Sequence, residues 1–218
     1  MSTPGGTAID REIIVRGGRW PLPGRLRVPV RARGIVLFAH GSGSSRLSPR
    51  NRQVADALEE VALATFLFDL LDEAEATDRR LVFDIELLAR RLLAATDRIA
   101  EEPGASELPV GYFGASTGAA AALVAVAERP EVRVVVSRGG RVDLAGSALA
   151  RVRAPTLLIV GGWDVEVLRL NEEALSRLGG EKRLEIVPRA SHLFEERGAI
   201  ERVAELATAW FSRHLPAA

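Results

Sequence analysis

Strand-like apolar runs alternate with helix-like segments along this chain, and this order constrains the fold more than any other feature of the sequence. Strands are predicted at 11–16, 26–30, 34–40, 65–71, 108–114, 132–138, 154–162 and 183–188. Helices are predicted at 48–62, 78–102, 117–128, 166–178 and 198–215. Because parallel strands joined by helices need crossovers over the faces of a sheet, the pattern predicts an α/β fold with helices on both faces.

The predicted elements also set the domain organisation. The first two strands are close in sequence and are expected to pair antiparallel, which gives a mostly parallel sheet of about eight strands. Residues 1–9 are small and polar and are expected to be disordered, so that 10–218 forms one domain. The connections after most strands are short, and none is long enough for a lid domain.

Charge and composition exclude several classes of function. The 29 basic and 29 acidic residues cancel, whereas nucleic-acid binding needs an excess of positive charge on one face. The absence of Cys excludes disulfides and thiolate chemistry. No apolar stretch reaches the roughly 18 residues that span a bilayer, and the N-terminus lacks the apolar core of a signal peptide. We therefore expect a soluble cytoplasmic protein with no nucleic-acid or membrane partner; no pattern indicates its oligomeric state.

The stretch GYFGASTGAAAALV (111–124) passes from a buried strand into a helix, with Ser116 at the junction. A nucleophile on so tight a turn has strained backbone, and side chains two residues to either side would collide with the strand and the helix. Gly114 and Gly118 remove those side chains. Ser116 is therefore the candidate nucleophile; a turn of small residues that allows close helix packing is the structural alternative.

A serine hydroxyl becomes a good nucleophile when a base takes its proton. The chain has three histidines, His40, His192 and His214. His214 falls near the end of the last helix, and His40 ends a strand before a Gly-Ser loop. His192 follows the last strand, at the sheet edge where Ser116 is placed and where catalytic groups of parallel sheets gather. We therefore predict His192 as the base.

An acid must hold the imidazole in the correct tautomer. Asp164 follows the preceding strand in LLIVGGWDVE, where two glycines allow a turn towards the neighbouring loop. An aspartate at this place is also a common N-cap of the next helix, and Asp69 and Asp143 are rival acids. Asp143 has the place of the first residue of a short helix, and we predict Asp164. The resulting chain order Ser116, Asp164, His192 distinguishes one class of serine hydrolase from the others.

An oxyanion needs two backbone N–H donors aimed at the developing charge. Thr117, the first residue of the helix after Ser116, would supply one donor. A loop that begins at His40 would supply the other, and we favour the N–H of Ser42. A phosphate cradle is the competing interpretation of GSGSS (41–45), which is disfavoured because the segment has no Lys and lacks the spacing of phosphate-binding loops.

Four residues around the nucleophile are predicted to form the substrate-binding part of the site: His40, Gly41, Arg138 and Trp163. The His40 ring is expected to hydrogen-bond loop carbonyls and so to shape the loop. Arg138, like Arg141, ends a strand close to the nucleophile; it would either hold an acidic group of the substrate or pair with a carboxylate of the protein. Trp163 would either wall the cleft or cover the loop.

These features resemble the α/β-hydrolase superfamily and, within it, the small dienelactone-hydrolase-like branch, which includes hydrolase domains fused to phosphoribosyltransferases. The segments that carry the resemblance span nearly the whole chain after residue 25: LFAHGSGSSRLSPRN, ATFLFDLL, GYFGASTGAAAAL, VVSRGGRVDLAG, APTLLIVGGWD and SHLFEE. The resemblance implies an α/β-hydrolase fold over 10–218, without a phosphoribosyltransferase-like segment. Dienelactone hydrolases proper use a Cys nucleophile, so a serine here makes ester hydrolysis the more natural activity.

The resulting prediction is a serine hydrolase that cleaves small carboxylic esters through an acyl-enzyme intermediate, without a metal or an organic cofactor. Two alternatives stay open. An acyltransferase or amidase would use the same triad, and a non-catalytic α/β-hydrolase-like protein would only bind a ligand. Covalent reaction of Ser116 with a fluorophosphonate separates the binding protein from the enzymes.

Overall fold

The structure is a computed structural model that describes residues 6–17 and 21–215. The described residues form eight strands: β1 (Thr7–Val15), β2 (Leu22–Pro29), β3 (Ile35–Ala39), β4 (Ala64–Phe68), β5 (Val110–Ala115), β6 (Val134–Arg138), β7 (Thr156–Gly161) and β8 (Lys182–Val187). They make one sheet in the order β1-β2-β4-β3-β5-β6-β7-β8. β1 and β2 pair antiparallel, as do β2 and β4, and the other pairs are parallel. The predicted mostly parallel α/β sheet is confirmed.

The first strand begins earlier than the sequence indicates. Residues 7–9, which were expected to be disordered, belong to β1, where Thr7 pairs with Pro29 and Ile9 with Val28. The prediction of disorder is wrong for these residues because backbone pairing with β2 holds them, whatever their side chains are. The prediction of disorder also covers residues 1–5, which lie outside the described residues. So do residues 18–20, which are part of the predicted first loop.

The helices follow the predicted pattern with one division. They are α1 (Pro49–Glu60), α2 (Arg79–Val82), α3 (Ile85–Ala100), α4 (Thr117–Glu128), α5 (Val165–Arg177) and α6 (Ala199–His214). The long helix predicted over 78–102 is broken between α2 and α3. Asp84 starts α3 there, because its side chain accepts a hydrogen bond from the N–H of Leu87 (2.9 Å) and so caps a new helix.

The sheet lies between two layers of helices. α3 and α4 pack on one face and α1 and α6 on the other. All residues of β3 are buried, and they alternate between the two cores, as expected for a strand that is covered on both faces. No insertion of the size of a lid domain interrupts the described residues, and none of their helices has the length and apolarity needed to cross a membrane. Five neighbouring strands run parallel, so their carboxyl ends meet at one open edge of the sheet: β3, β5, β6, β7 and β8.

Asp84→Ala is expected to lower the free energy of unfolding by about 1 kcal/mol, because the N–H of Leu87 loses its side-chain acceptor. Urea denaturation followed by circular dichroism measures this change. Arg90→Ala is the matched control, since Arg90 is exposed on the same helix and makes only a long ion pair with Glu86 (4.0 Å). Equal losses in the two variants would contradict the capping role.

Candidate active site

Ser116 lies on a sharp turn between β5 and α4. Its backbone has φ 51° and ψ −120°, a left-handed conformation that a residue with a side chain rarely adopts. Such a conformation costs about 1–3 kcal/mol and persists only where the surrounding structure imposes it. The N–H of Ser116 donates to the carbonyl of Arg138 (3.2 Å), and its carbonyl accepts from Ala119 and Arg141 (3.1 Å each). These bonds hold the strained turn between β5 and the end of β6.

The glycines that flank Ser116 are required by close backbone contacts. A Cβ atom on Gly114 would lie 2.4 Å from the Cα of Ala119, inside the turn itself. A Cβ on Gly118 would lie 2.1 Å from the carbonyl oxygen of Ala39, and one on Gly41 would lie 2.8 Å from the Cβ of Ser116. The two flanking glycines thus act as the sequence predicts, and the close approach of the loop after β3 is an additional reason for them.

Asp164 and His192 form a hydrogen-bonded pair at the ends of β7 and β8. The Oδ2 atom of Asp164 lies 2.6 Å from Nδ1 of His192. Asp164 occupies the N-cap position of α5, but its side chain makes no capping bond. Since a carboxylate only accepts hydrogen bonds, Nδ1 carries the proton and Nε2 is left as the proton acceptor of the neutral ring. The carboxylate is thus used to orient the imidazole and not to start the helix.

The loops that carry this pair are packed directly against each other. A Cβ on Gly161 would lie 2.3 Å from the carbonyl oxygen of Ala190, so only glycine allows the contact. The N–H of Trp163 donates to the same carbonyl oxygen (3.0 Å). The N–H of Ser191 donates to Glu196 (3.0 Å), which fixes the loop on the other side of His192. The Asp164–His192 geometry is therefore built by backbone contacts and not by the two side chains alone.

The rival acids are engaged elsewhere. Asp69 accepts from the backbone N–H of Arg46 (2.7 Å) and pairs with its guanidinium. The two carboxylate oxygens of Asp143 accept from Nε and Nη2 of Arg141 (2.9 and 2.8 Å). Arg141 is therefore a structural ion pair, the second of the two roles expected for such an arginine.

His40 holds the loop after β3 in place through its two ring nitrogens. It is buried; its Nδ1 lies 3.0 Å from the carbonyl oxygen of Gly41, and its Nε2 accepts from the N–H of Leu70 (2.9 Å). Burial lowers the pKa of His40, which keeps the ring neutral. Because both ring nitrogens are bonded to backbone, His40 positions Gly41, and its ring has no polar atom left for a ligand. Its place among the substrate-binding groups stays a prediction.

The two predicted oxyanion donors are adjacent, and their residues are bonded to each other. The N–H of Ser42 donates to Oγ1 of Thr117 (3.1 Å). The N–H of Thr117 is the first of α4, so the helix contains no acceptor for it. Sequence reasoning missed the Ser42–Thr117 bond, because nothing in the spacing of the two segments indicates the direction of a hydroxyl group.

Ser116 and His192 line the same cavity, of about 550 Å³, together with Gly41, Ser42 and Arg138. Trp163 is 61% exposed and is not among the residues that line it. A larger cavity of about 1410 Å³ lies between β1 and α3, but it contains none of the candidate residues. Within residues 6–17 and 21–215, no group of three or more His, Cys, Asp or Glu side chains is arranged to hold a metal ion.

Two features of this cavity were missed by sequence reasoning. Arg50 lines it from the start of α1, which the sequence signal Ser48-Pro49 would have placed near the sheet edge. Phe194 is buried under Arg138, with 6.0 Å between the guanidinium carbon and the ring centroid. No pattern in the sequence indicates this contact.

No family model matches the sequence. A curated relative from Mycobacterium tuberculosis, named putative phosphoribosyl transferase, is 58% identical over 207 residues. The match covers 94% of this chain and 47% of the relative. The chain thus spans about half the length of the curated relatives it matches.

Solved structures match the chain over nearly its whole length. Dienelactone hydrolase from Anabaena variabilis is 57% identical, with a TM-score of 0.92, and the match covers 95% of this chain and 99% of that one. A lidless α/β serine hydrolase from Xanthomonas campestris has a TM-score of 0.78 at 21% identity, over 99% of this chain and 100% of that one. Est1E from Butyrivibrio proteoclasticus has a TM-score of 0.77 at 14% identity, over 94% and 98%. The last two show a likeness of fold.

Gly118→Ala is expected to lower the free energy of unfolding by about 1–3 kcal/mol, because the added methyl group meets backbone of β3 that cannot move aside. Urea denaturation measures the loss. Gly162→Ala is the matched control: it lies in the equivalent strand-to-helix turn after β7, and its Cβ would meet only ordinary contacts of 3.4 Å or more. A Gly118→Ala protein as stable as this control would contradict the predicted close contact.

The buried His40 is expected to make stability depend on pH. Its pKa in the folded protein lies below the usual 6.5, so the unfolded chain binds the proton more readily. The free energy of unfolding should therefore fall as the pH drops from about 7.5 to about 5.5. His40→Gln removes the titrating group, and its curve should fall less over this window; parallel curves for the two proteins would contradict the assignment.

Proposed function

This chain belongs to the dienelactone-hydrolase-like branch of the α/β-hydrolase superfamily, and we propose that it is a serine hydrolase that cleaves small carboxylic esters through an acyl-enzyme intermediate. The observation that carries the proposal is the hydrogen bond between Asp164 and His192, at 2.6 Å, beside a strained Ser116 that lines the same cavity. An aspartate whose role was to cap α5 would accept a hydrogen bond from that helix, and the side chain of Asp164 accepts none from it. The arrangement supports nucleophilic catalysis over a turn of merely small residues.

The first half-reaction acylates the serine. Oγ of Ser116 attacks the ester carbonyl while Nε2 of His192 takes its proton, and Asp164 stabilises the imidazolium through Nδ1. The N–H of Thr117 and the N–H of Ser42 bind the oxyanion, and the latter exchanges its bond to the Thr117 hydroxyl for the stronger charged acceptor. His192 then protonates the departing alkoxide, which leaves as an alcohol.

The second half-reaction releases the acid. A water molecule takes the place of the alcohol, and His192 accepts its proton as the hydroxide attacks the acyl carbonyl. The same two N–H groups bind the second oxyanion, and collapse of the tetrahedral species returns the proton to Ser116. Each oxyanion donor contributes about 10²–10³ in rate, as in other acyl transfers.

The shape of the cavity supports small substrates. It has a volume of about 550 Å³, and the described residues include no lid that would cover a long acyl chain. His192 is itself 37% exposed at its side chain, which leaves the leaving-group side open to water. Activity on p-nitrophenyl esters is therefore expected to fall with increasing acyl length.

Ser116→Ala is expected to abolish both p-nitrophenyl acetate hydrolysis and covalent labelling by a fluorophosphonate, because the attacking atom is removed. Asp164→Asn should lower kcat by about 10⁴, since the amide favours the wrong histidine tautomer. Mass spectrometry of the labelled protein locates the modified residue.

Ser106→Ala is the control for these variants, because this serine is exposed and lies outside the cavity. It should keep wild-type labelling and turnover. A wild-type protein that resists the fluorophosphonate would refute the enzyme and favour a ligand-binding protein. Label found on a residue other than Ser116 would refute the assigned nucleophile.

A further inference from the structure

Arg138 is a buried cation without an anionic partner beside the nucleophile. Its exposed fraction is 9%, and no ion pair of Arg138 occurs with any residue that the structure describes. Its Nη2 lies 3.4 Å from the amide oxygen of Asn51, and its Nε and Nη1 have no acceptor among the described residues. Arg138 is paired in β-sheet register with Ala115, the residue before the nucleophile, and lines the same cavity.

Burial of an unpaired guanidinium is costly, so its presence calls for an explanation. Burial, aided by the positive charge of Arg50, lowers the pKa of Arg138 to about 10, which still leaves the group charged at neutral pH. The face of the Phe194 ring lies 6.0 Å from the guanidinium carbon and stabilises the cation weakly. Neither Phe194 nor the amide of Asn51 neutralises the charge, which is consistent with a site that a ligand completes.

A second arginine lies at the same cavity. Arg50 belongs to the first turn of α1, where the helix dipole also favours an anion. Its Nη1 pairs with the exposed Glu195 (3.1 Å), and its buried Nε has no acceptor among the described residues. The residues that line the cavity include no Asp and no Glu. Two like charges thus lie at one cavity, and of the two only Arg50 has a carboxylate partner, the exposed Glu195.

We propose that Arg138 and Arg50 together bind a phosphate group of the substrate, so that the cleft selects phosphorylated esters over neutral ones. This inference rests on the proposed esterase activity, because Ser116 would attack the ester carbonyl of the same molecule. The cleaved bond is the carboxylic ester, and the phosphate stays attached to the alcohol that His192 protonates. Binding energy on the phosphate then positions the carbonyl.

Phosphate fits this pair of arginines better than a carboxylate does. The two guanidinium groups that line the cavity belong to different elements, β6 and α1. A phosphate monoester offers three terminal oxygens in a pyramid and about −1.5 to −2 charge at neutral pH, which suits binding by two guanidinium groups. A carboxylate offers two coplanar oxygens and a single charge. Ser44 and Ser45 line the same cavity and carry hydroxyl groups that can donate to a phosphate.

Three acetate esters of matched length test the proposal: 2-acetoxyethyl phosphate, 4-acetoxybutanoate and 2-methoxyethyl acetate. Acid release in a pH-stat gives kcat/KM for each. We expect the phosphate ester to be preferred over the other two. We expect Arg138→Gln to lower the ratio of phosphate to neutral kcat/KM by about 10- to 100-fold, the usual effect of a lost charge-assisted hydrogen bond.

Two further variants make the test specific. Arg50→Gln, at a more exposed site that tolerates substitution better, should lower the same ratio. Arg52→Gln is the control, because Arg52 is an exposed residue of the same helix that does not line the cavity, and it should leave the ratio unchanged. Inorganic phosphate should inhibit hydrolysis of the neutral ester competitively in the wild type, and much more weakly in Arg138→Gln.

The outcomes separate this inference from the proposed function. Hydrolysis of the neutral ester with no preference for phosphate, or a preference for the carboxylate ester, overturns the phosphate site and leaves the esterase standing. Equal effects of Arg52→Gln and Arg138→Gln also overturn the site. If none of the esters is cleaved, the esterase fails, and calorimetric titration with inorganic phosphate decides the site by itself: binding that Arg138→Gln abolishes supports it, and no binding overturns it.

Discussion

The strained turn at Ser116 is the constraint on which the rest of the site depends. A left-handed backbone at a residue with a side chain is unfavourable in isolation. Here the end of β6 and the loop after β3 hold it from two sides, through hydrogen bonds and through contacts that leave no room for a Cβ on Gly41 or Gly118. The turn places a hydroxyl at the open edge of the sheet, and it also brings the first N–H of α4 next to the loop that carries Ser42.

A second layer of contacts keeps that loop in place. His40 accepts a hydrogen bond from the backbone of Leu70, whose carbonyl in turn accepts from Arg91 (2.7 Å). The buried Arg91 also pairs with Glu75 (2.6 Å). The position of Gly41 therefore depends on groups well outside the cavity, and a neutral His40 is a condition for it. The proposed oxyanion donors are positioned by the fold and not by the short loop alone.

The electrostatics of the cleft are set by Arg138, which has no carboxylate partner among the described residues. Two arginines of neighbouring loops are paired: Arg141 with Asp143, and Arg46 with Asp69. Arg138 keeps its charge next to Phe194 and Asn51 without a carboxylate among the described residues. A fold that merely tolerated this residue would be expected to pair it as it pairs the others, and this contrast is the basis for the anion site proposed here.

Sequence patterns determined the class of fold, because periods of buried residues report directly which segments are strands and which are helices. They also placed Ser116 and its glycines, since a tight turn needs small residues at a fixed local spacing. The start of β1 and the break before α3 escaped prediction, because backbone pairing and a single capping side chain decided them.

Only the tertiary structure decided between the uses of residues that local pattern leaves open. Asp164 had the place of a helix cap, and the packing of the β7 and β8 loops turned it to His192. Arg138 and Arg141 are three residues apart, and the sequence allows either to bind substrate or to pair with a carboxylate. Arg141 pairs with Asp143, whereas Arg138 has no carboxylate partner among the described residues. The physical reason is that such partners come from segments far apart in the chain, and only their distance and burial in the folded molecule determine which side chains meet.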